Sequence, residues 1–194
     1  MDPFYTTEIK QSIRRIFRSY LWRNPTVGYI QGMNFLIFRL RKYLSEENTF
    51  WLFVLIVESY LPTDFYVEMY GATTHATILA RILKQYSKMP GVIATFERLE
   101  YPIVNLCARL FLSLFSHSLP EETSLRVLDL FFLEGLQSNK IIFDVTFAYL
   151  SILEDQIVAC VDQEDIQKVL NPNNTALQDS TIFMMRLKCA RKSI

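Results

Sequence analysis

Helical spacing runs through nearly every segment of this chain, and most of its prolines and glycines fall between those segments. Apolar residues recur at three- and four-residue intervals in Ile9, Ile13, Ile16, Phe17 and Tyr20. They do so again in Leu36, Leu40, Tyr43 and Leu44, and in Ile78, Leu79, Ile82, Leu83 and Tyr86. That period belongs to the α-helix, and no alternating valine-rich run competes with it. Five glycines and seven prolines in 194 residues are too few for a strand-and-turn fold. The expectation is an all-α chain of about nine to eleven helices. The stretch 49–61 is nearly apolar all round and reads as a buried central helix. Phe65 to Tyr70 reads as a short connection closed by Gly71, and Thr74 to Met89 as a helix. Pro90-Gly91 is the strongest break in the middle of the chain. Helices follow over 92–99 and from Tyr101-Pro102 to Leu114. Another opens at Pro120-Glu121-Glu122-Thr123, turns Leu125, Leu128, Phe131 and Phe132 inward, and is capped by Gly135. Residues 139–153 are rich in β-branched and aromatic side chains, but their length without a breaker favours a helix over a strand. Asp162 to Leu170 and Thr175 to Arg191 complete the series.

Composition removes several functions. A 51% hydrophobic content supplies an ample core, and a formal net charge of zero argues against nonspecific nucleic-acid binding. Charge is uneven along the chain: residues 1–42 hold eight basic and two acidic residues, and 119–165 hold ten acidic and two basic. This pattern fits either solvated helix faces or a polarised binding surface. Cys107, Cys160 and Cys189 lack CxxC spacing, and His75 and His117 stand 42 positions apart, so neither a disulfide framework nor a metal site is expected. The longest apolar run, Phe50 to Val57, falls far short of a membrane span. No secretory leader is evident, and the cysteine usage points to a reducing, intracellular compartment, most simply the cytoplasm, with an organelle or cytoskeletal assembly as the variant. No phosphate-binding GxxxxGK[ST] loop or nucleophile set is present, and no cofactor is implied.

One turn stands apart from the helices. In Asn24-Pro25-Thr26-Val27-Gly28-Tyr29-Ile30-Gln31-Gly32-Met33-Asn34 a proline, two glycines and two carboxamides lie between two helical segments. Pro25 ends the first helix, and Gly28 and Gly32 allow backbone angles and close approaches that a Cβ forbids. Gln31 is thereby held on a short constrained turn, where its amide can orient a water or grip a partner's backbone. Packing alone is the plainer reading of the same glycines.

These residues resemble the glutamine-finger motif of the TBC domain, the helical domain of Rab GTPase-activating proteins. A second stretch resembles the family's later motif run: Leu112-Ser113-Leu114-Phe115, Leu119-Pro120, Arg126 to Asp129 and Glu134-Gly135. The resemblance implies a V-shaped multi-helix domain whose lobes divide near Pro90-Gly91, with an N-terminal subdomain 1–90 that carries the turn and a C-terminal helical subdomain 91–194. It implies Gln31 as a catalytic finger, with Tyr29, Gly32, Asn34, Arg14 and Arg18 binding the partner. That partner would be a Rab-type small GTPase with its GTP and Mg, engaged directly or within a larger complex. The family also uses an arginine in an Ile-x-x-Asp-x-x-Arg motif. Here Ile9 to Arg15 carries Ser12 in place of the aspartate, and Ile13 to Tyr20 aligns instead with the helix directly before the turn. On that alignment the arginine-bearing segment lies outside this sequence. Three readings follow: a pseudo-GAP acting as a GTPase-binding or structural module, a GAP whose arginine is missing from this chain, and an unrelated helical scaffold. The first is favoured, with no intrinsic catalysis and at most activation of a GTPase in trans.

Overall fold

The computed structural model describes residues 3–86, 89–135 and 138–191, and among these every regular element is helical. The ten α-helices are α1 (Thr7–Arg23), α2 (Met33–Arg41), α3 (Glu46–Leu55), α4 (Tyr70–Tyr86), α5 (Pro90–Arg98), α6 (Ile103–Leu112), α7 (Glu121–Glu134), α8 (Ser138–Val158), α9 (Gln163–Val169) and α10 (Ser180–Arg191). The side-chain oxygen of Thr6 accepts from the amide of Ile9 and starts α1; Ser45 caps α3 and Asp162 caps α9 in the same way. Pro25 stands just beyond the α1 C-cap at Asn24, where a helix cannot easily continue.

The ambiguous stretch 139–153 lies within α8. Val145, Ala148, Tyr149, Leu150, Leu153 and Ile157 are all fully buried, packed against α5, α6, α7 and α10. The most extensive interhelical contact joins α4 to α6. Ala72, Ala76 and Ala80 recur every four residues along α4 and are buried, and such a row of small side chains lets two helix backbones come close.

Several local expectations are corrected. The stretch 49–61 is not buried on all sides: Trp51 and Leu55 are exposed, and the helix gives way to a π-helical turn at Ile56–Tyr60. An apolar sequence does not show which side faces solvent, and Trp51 is partly covered by the Arg23 guanidinium, 5.7 Å from its ring. Gly71 does not close a connection but lies in the first turn of α4, where a Cβ would stand 2.5 Å from Cα of Phe65. Ile78 faces outward while the small Ala76 and Ala80 face inward. In α7 it is Val127, beside Leu128 and Phe131, that is buried, while Leu125 and Phe132 are only partly so. The last helix begins at Ser180, after a 3-10 turn at Thr175–Leu177.

Cys107 and Cys160 are buried and Cys189 is exposed; burial pushes the Cys107 thiol up to about 12. One buried charge is costly. The Asp144 side chain on α8 is inaccessible, and among the described residues neither carboxylate oxygen accepts a hydrogen bond. Arg191 Nε approaches one oxygen at 3.4 Å, while Arg191 also pairs with Glu134. Burial raises the Asp144 pKa, against the pull of Lys140 and Arg191. A carboxyl raised on folding contributes stability below its unfolded pKa, about 3.9, and loses it as pH rises through the folded value. Asp144→Asn is therefore expected to stabilise the chain at neutral pH by about 1 kcal/mol. It should also flatten the fall in stability above roughly pH 4, read from urea midpoints across the range. An unchanged pH slope would show that Arg191 fully compensates the charge.

Candidate functional site

The turn between α1 and α2 is built from both sides. Asn24 closes α1 by donating its amide to Tyr20 O at 2.8 Å, and the Thr26 hydroxyl donates to Asn24 Oδ1 at 2.6 Å. Val27 then drops into the core, and Gly28 takes a left-handed φ of +68° that brings the chain back out. Tyr29 is exposed, and its ring meets Phe17 of α1 edge-on at 5.2 Å. Gly32 caps α2 with φ +123°, and a Cβ there would stand 2.9 Å from the backbone carbon and oxygen of Leu112. The turn thus rests on the C-terminal end of α6, whose Leu112 carbonyl also accepts from the buried Tyr66 hydroxyl at 3.0 Å. Beyond Gly32, Met33, Leu36 and Ile37 are fully buried and fix α2.

Gln31 is exposed at the N-terminal end of α2, and among the described residues its carboxamide makes no hydrogen bond to the rest of the chain. Its neighbours are committed. Asn34 Oδ1 accepts from the Gly32 amide at 3.2 Å and from the Tyr29 hydroxyl at 3.4 Å, so Asn34 braces the turn from within. Gly32 is buried and has no surface to offer a partner; its part is the close approach to Leu112. The site therefore presents Gln31 and Tyr29, with Asn34 and Gly32 holding them.

The arginines divide by helix face. Around α1, at 100° per residue, Phe17 lies on the flank that meets Tyr29, while Arg15 lies on the opposite flank. There Arg15 forms a two-pronged pair with Glu46 of α3, both contacts at 2.7 Å. Arg23 makes a similar pair with Glu58. Arg14 and Arg18 are exposed near the outward pole between the two flanks, and neither guanidinium has an ion pair among the described residues. The structure brings Gln31, Tyr29 and Asn34 together but leaves Arg18 on a separate face.

Sequence reading did not find Phe35 and His117. The imidazole stacks on Phe35 with ring centres 4.0 Å apart, one helical turn from Gln31. Partial burial, then the nearby Arg109, hold the His117 pKa below its usual range, so the ring is neutral at physiological pH. No spacing rule joins positions 35 and 117. The far end of α2 is tied down by Glu121, which pairs with Arg39 and Lys42 and accepts from the Tyr43 hydroxyl.

The described residues form an all-helical array that holds Gln31 exposed on a glycine-seated turn, beside an exposed Tyr29. Comparison with known sequences and structures gives the class: the Rab-GTPase-TBC domain profile matches residues 2–158, and the chain belongs to that family. TBC1 domain family member 2B is similar, at 29% identity over 176 residues in Xenopus tropicalis and 30% over 166 in Homo sapiens. Those matches cover 90% and 85% of this chain but 18% and 17% of the relatives, so the chain spans less than a fifth of their length. The Chlamydomonas flagellar RabGAP TBC domain superposes with a TM-score of 0.81 at 28% identity, over 96% of this chain and 62% of that one. The Ypt/Rab-GAP domain of Gyp1p, at 22% identity and a TM-score of 0.78, shares the fold over 96% of this chain and 66% of its own. Among the described residues no helix is long and apolar enough to cross a membrane.

The two turn glycines are expected to differ on substitution. Gly32→Ala should cost about 3 kcal/mol, because it combines an unfavourable φ with a backbone collision that only a shift of α6 relieves. Gly28→Ala, in open space, should cost only about 1 kcal/mol for its left-handed φ. Chemical denaturation of both variants checks the order, and equal losses would show that the Leu112 approach relaxes freely.

Proposed function

We propose that this chain is a TBC-type pseudo-GAP module that binds a Rab-type small GTPase in its GTP and Mg form through the Gln31 turn, without supplying the arginine that hydrolysis requires. The observation that carries this reading is the arrangement of Arg15. It is paired with Glu46 on the flank of α1 turned away from Tyr29 and Gln31. To reach a nucleotide beside Gln31 it would have to leave Glu46 and cross the width of the helix, about 10 Å. Arg39 is engaged with Glu121 and the Ser116 carbonyl, and Arg41 with Ser12 and the Leu44 carbonyl. A glutamine can orient the attacking water, but the larger rate factor, roughly 10³ to 10⁵, comes from an arginine that compensates charge on the transferred phosphoryl group. Exposed tyrosine on a rigid turn suits recognition, since aromatic anchors dominate protein interfaces.

A second reading is kept by Gln31 itself. Its amide is exposed and unengaged among the described residues, as a water-positioning group must be, and this supports GTPase activation if an arginine reaches the nucleotide from another segment or another chain.

GTP hydrolysis by a panel of Rab GTPases, measured with and without this protein, separates the readings. The expected outcome is acceleration below about tenfold, with binding of one or more GTP-loaded Rabs weakened about tenfold by Tyr29→Ala. Gln31→Ala should leave the slow rate unchanged. Acceleration beyond about a hundredfold that Arg15→Ala abolishes would reject the pseudo-GAP reading and make Arg15 the finger.

A further inference from the structure

We infer that the outward pole of α1 is a docking stripe for an anionic lipid surface, separate from the Gln31 turn. Arg14, Arg18 and Trp22 follow one another at four-residue spacing, so they form one row along the side of α1 opposite its buried residues Ile9, Ser12, Ile13, Ile16 and Tyr20. Trp22 is 87% exposed, the most exposed of the large apolar side chains among the described residues.

The electrostatics single out this row. On one flank Arg15 and Arg23 are neutralised by Glu46 and Glu58, and Glu47 lies beyond them on α3. Glu8 stands in the first turn, and Lys10 sits over the Tyr5 ring at 4.8 Å on the other flank. Arg14 and Arg18 remain without an ion pair among the described residues, so the pole carries uncompensated positive charge ending in an indole.

That combination fits a bilayer interface. Guanidinium groups attract anionic headgroups, and an indole places its apolar body among the lipids while keeping its N–H wet. Beside the indole, Arg18, Leu21, Trp22 and Pro25 line an open recess of about 400 Å³ with mostly apolar walls. A headgroup or the upper part of an acyl chain can lie there. An acidic protein would be met by the same charges. The row lies on the outward pole of a helix, and the recess beside it is wide open rather than a groove shaped for a chain, which favours a broad anionic surface over a peptide.

The test is sedimentation of the full chain with phosphatidylcholine vesicles, with and without phosphatidylserine, at low and high salt. Binding should require phosphatidylserine and fall as salt rises. R14A/R18A should lose roughly fivefold in partitioning for each cation, while R15A/R23A, which removes the paired arginines, should lose less than the other double variant. Quenching by brominated lipid should be reduced in W22F, since Trp51 lies under Arg23 on the flank. All the substituted side chains are at the surface, and circular dichroism of each variant checks that the fold is kept. Equal binding to both vesicle types, or an unchanged R14A/R18A variant, overturns the inference. So does binding of polyglutamate, but not vesicles, through Arg14 and Arg18, which would make the stripe a protein contact.

Discussion

The approach of Gly32 to the end of α6 governs this molecule's working surface. Backbone meets backbone there, with no side chain between, and only glycine leaves room at 2.9 Å. That contact lets Met33 and Leu36 enter the core at full burial and sets the direction of α2. It also fixes which way the turn faces, so Gln31 is left in solvent, without a hydrogen-bond partner among the described residues. Tyr29, resting on Phe17, closes the other side. The turn is thus wedged between α1 and α6, and its shape belongs to both halves of the chain.

The same economy appears in the charges. Of the basic residues crowded into 1–42, most are cross-links between elements. Arg15 and Arg23 tie α1 to Glu46 and Glu58, Arg41 reaches back to Ser12, and Arg39 and Lys42 meet Glu121 at the start of α7. The more exposed pairs, Arg15–Glu46 and Arg23–Glu58, are worth little individually, about 0 to 1 kcal/mol. Their effect here is positional, because each guanidinium committed to a carboxylate is withdrawn from any incoming partner. What sequence shows as one basic segment is in space a set of neutralised braces and a short unpaired row.

Much of this was legible in advance, and the exceptions have a common cause. The helices, the turn and its family resemblance follow from spacing and from residues with backbone consequences: Pro25, Gly28, Gly32 and Gly135. Those effects are local, and sequence records them. Facing is different. Trp51 and Leu55 look like core residues and are exposed, whereas Ala72, Ala76 and Ala80 look unremarkable and are buried. Long side chains are harder still, since nothing local tells Arg15 to choose Glu46 while Arg14 and Arg18 stay unpaired. The stacking of His117 on Phe35 and the burial of Asp144 likewise depend on partners brought from distant parts of the chain.

Both ends of α2 are fastened to the second half of the molecule, Gly32 at Leu112 and Arg39, Lys42 and Tyr43 at Glu121. The stretch 113–120 joins those two anchor points, and it turns tightly, with Leu114 and Phe115 both left-handed and Ser113, Ser116 and Ser118 buried. It therefore works as a fixed-length spacer whose ends are measured against a rigid helix. An inserted residue there could not bulge into solvent without pulling one anchor from the other, so chain length in this loop should be held constant.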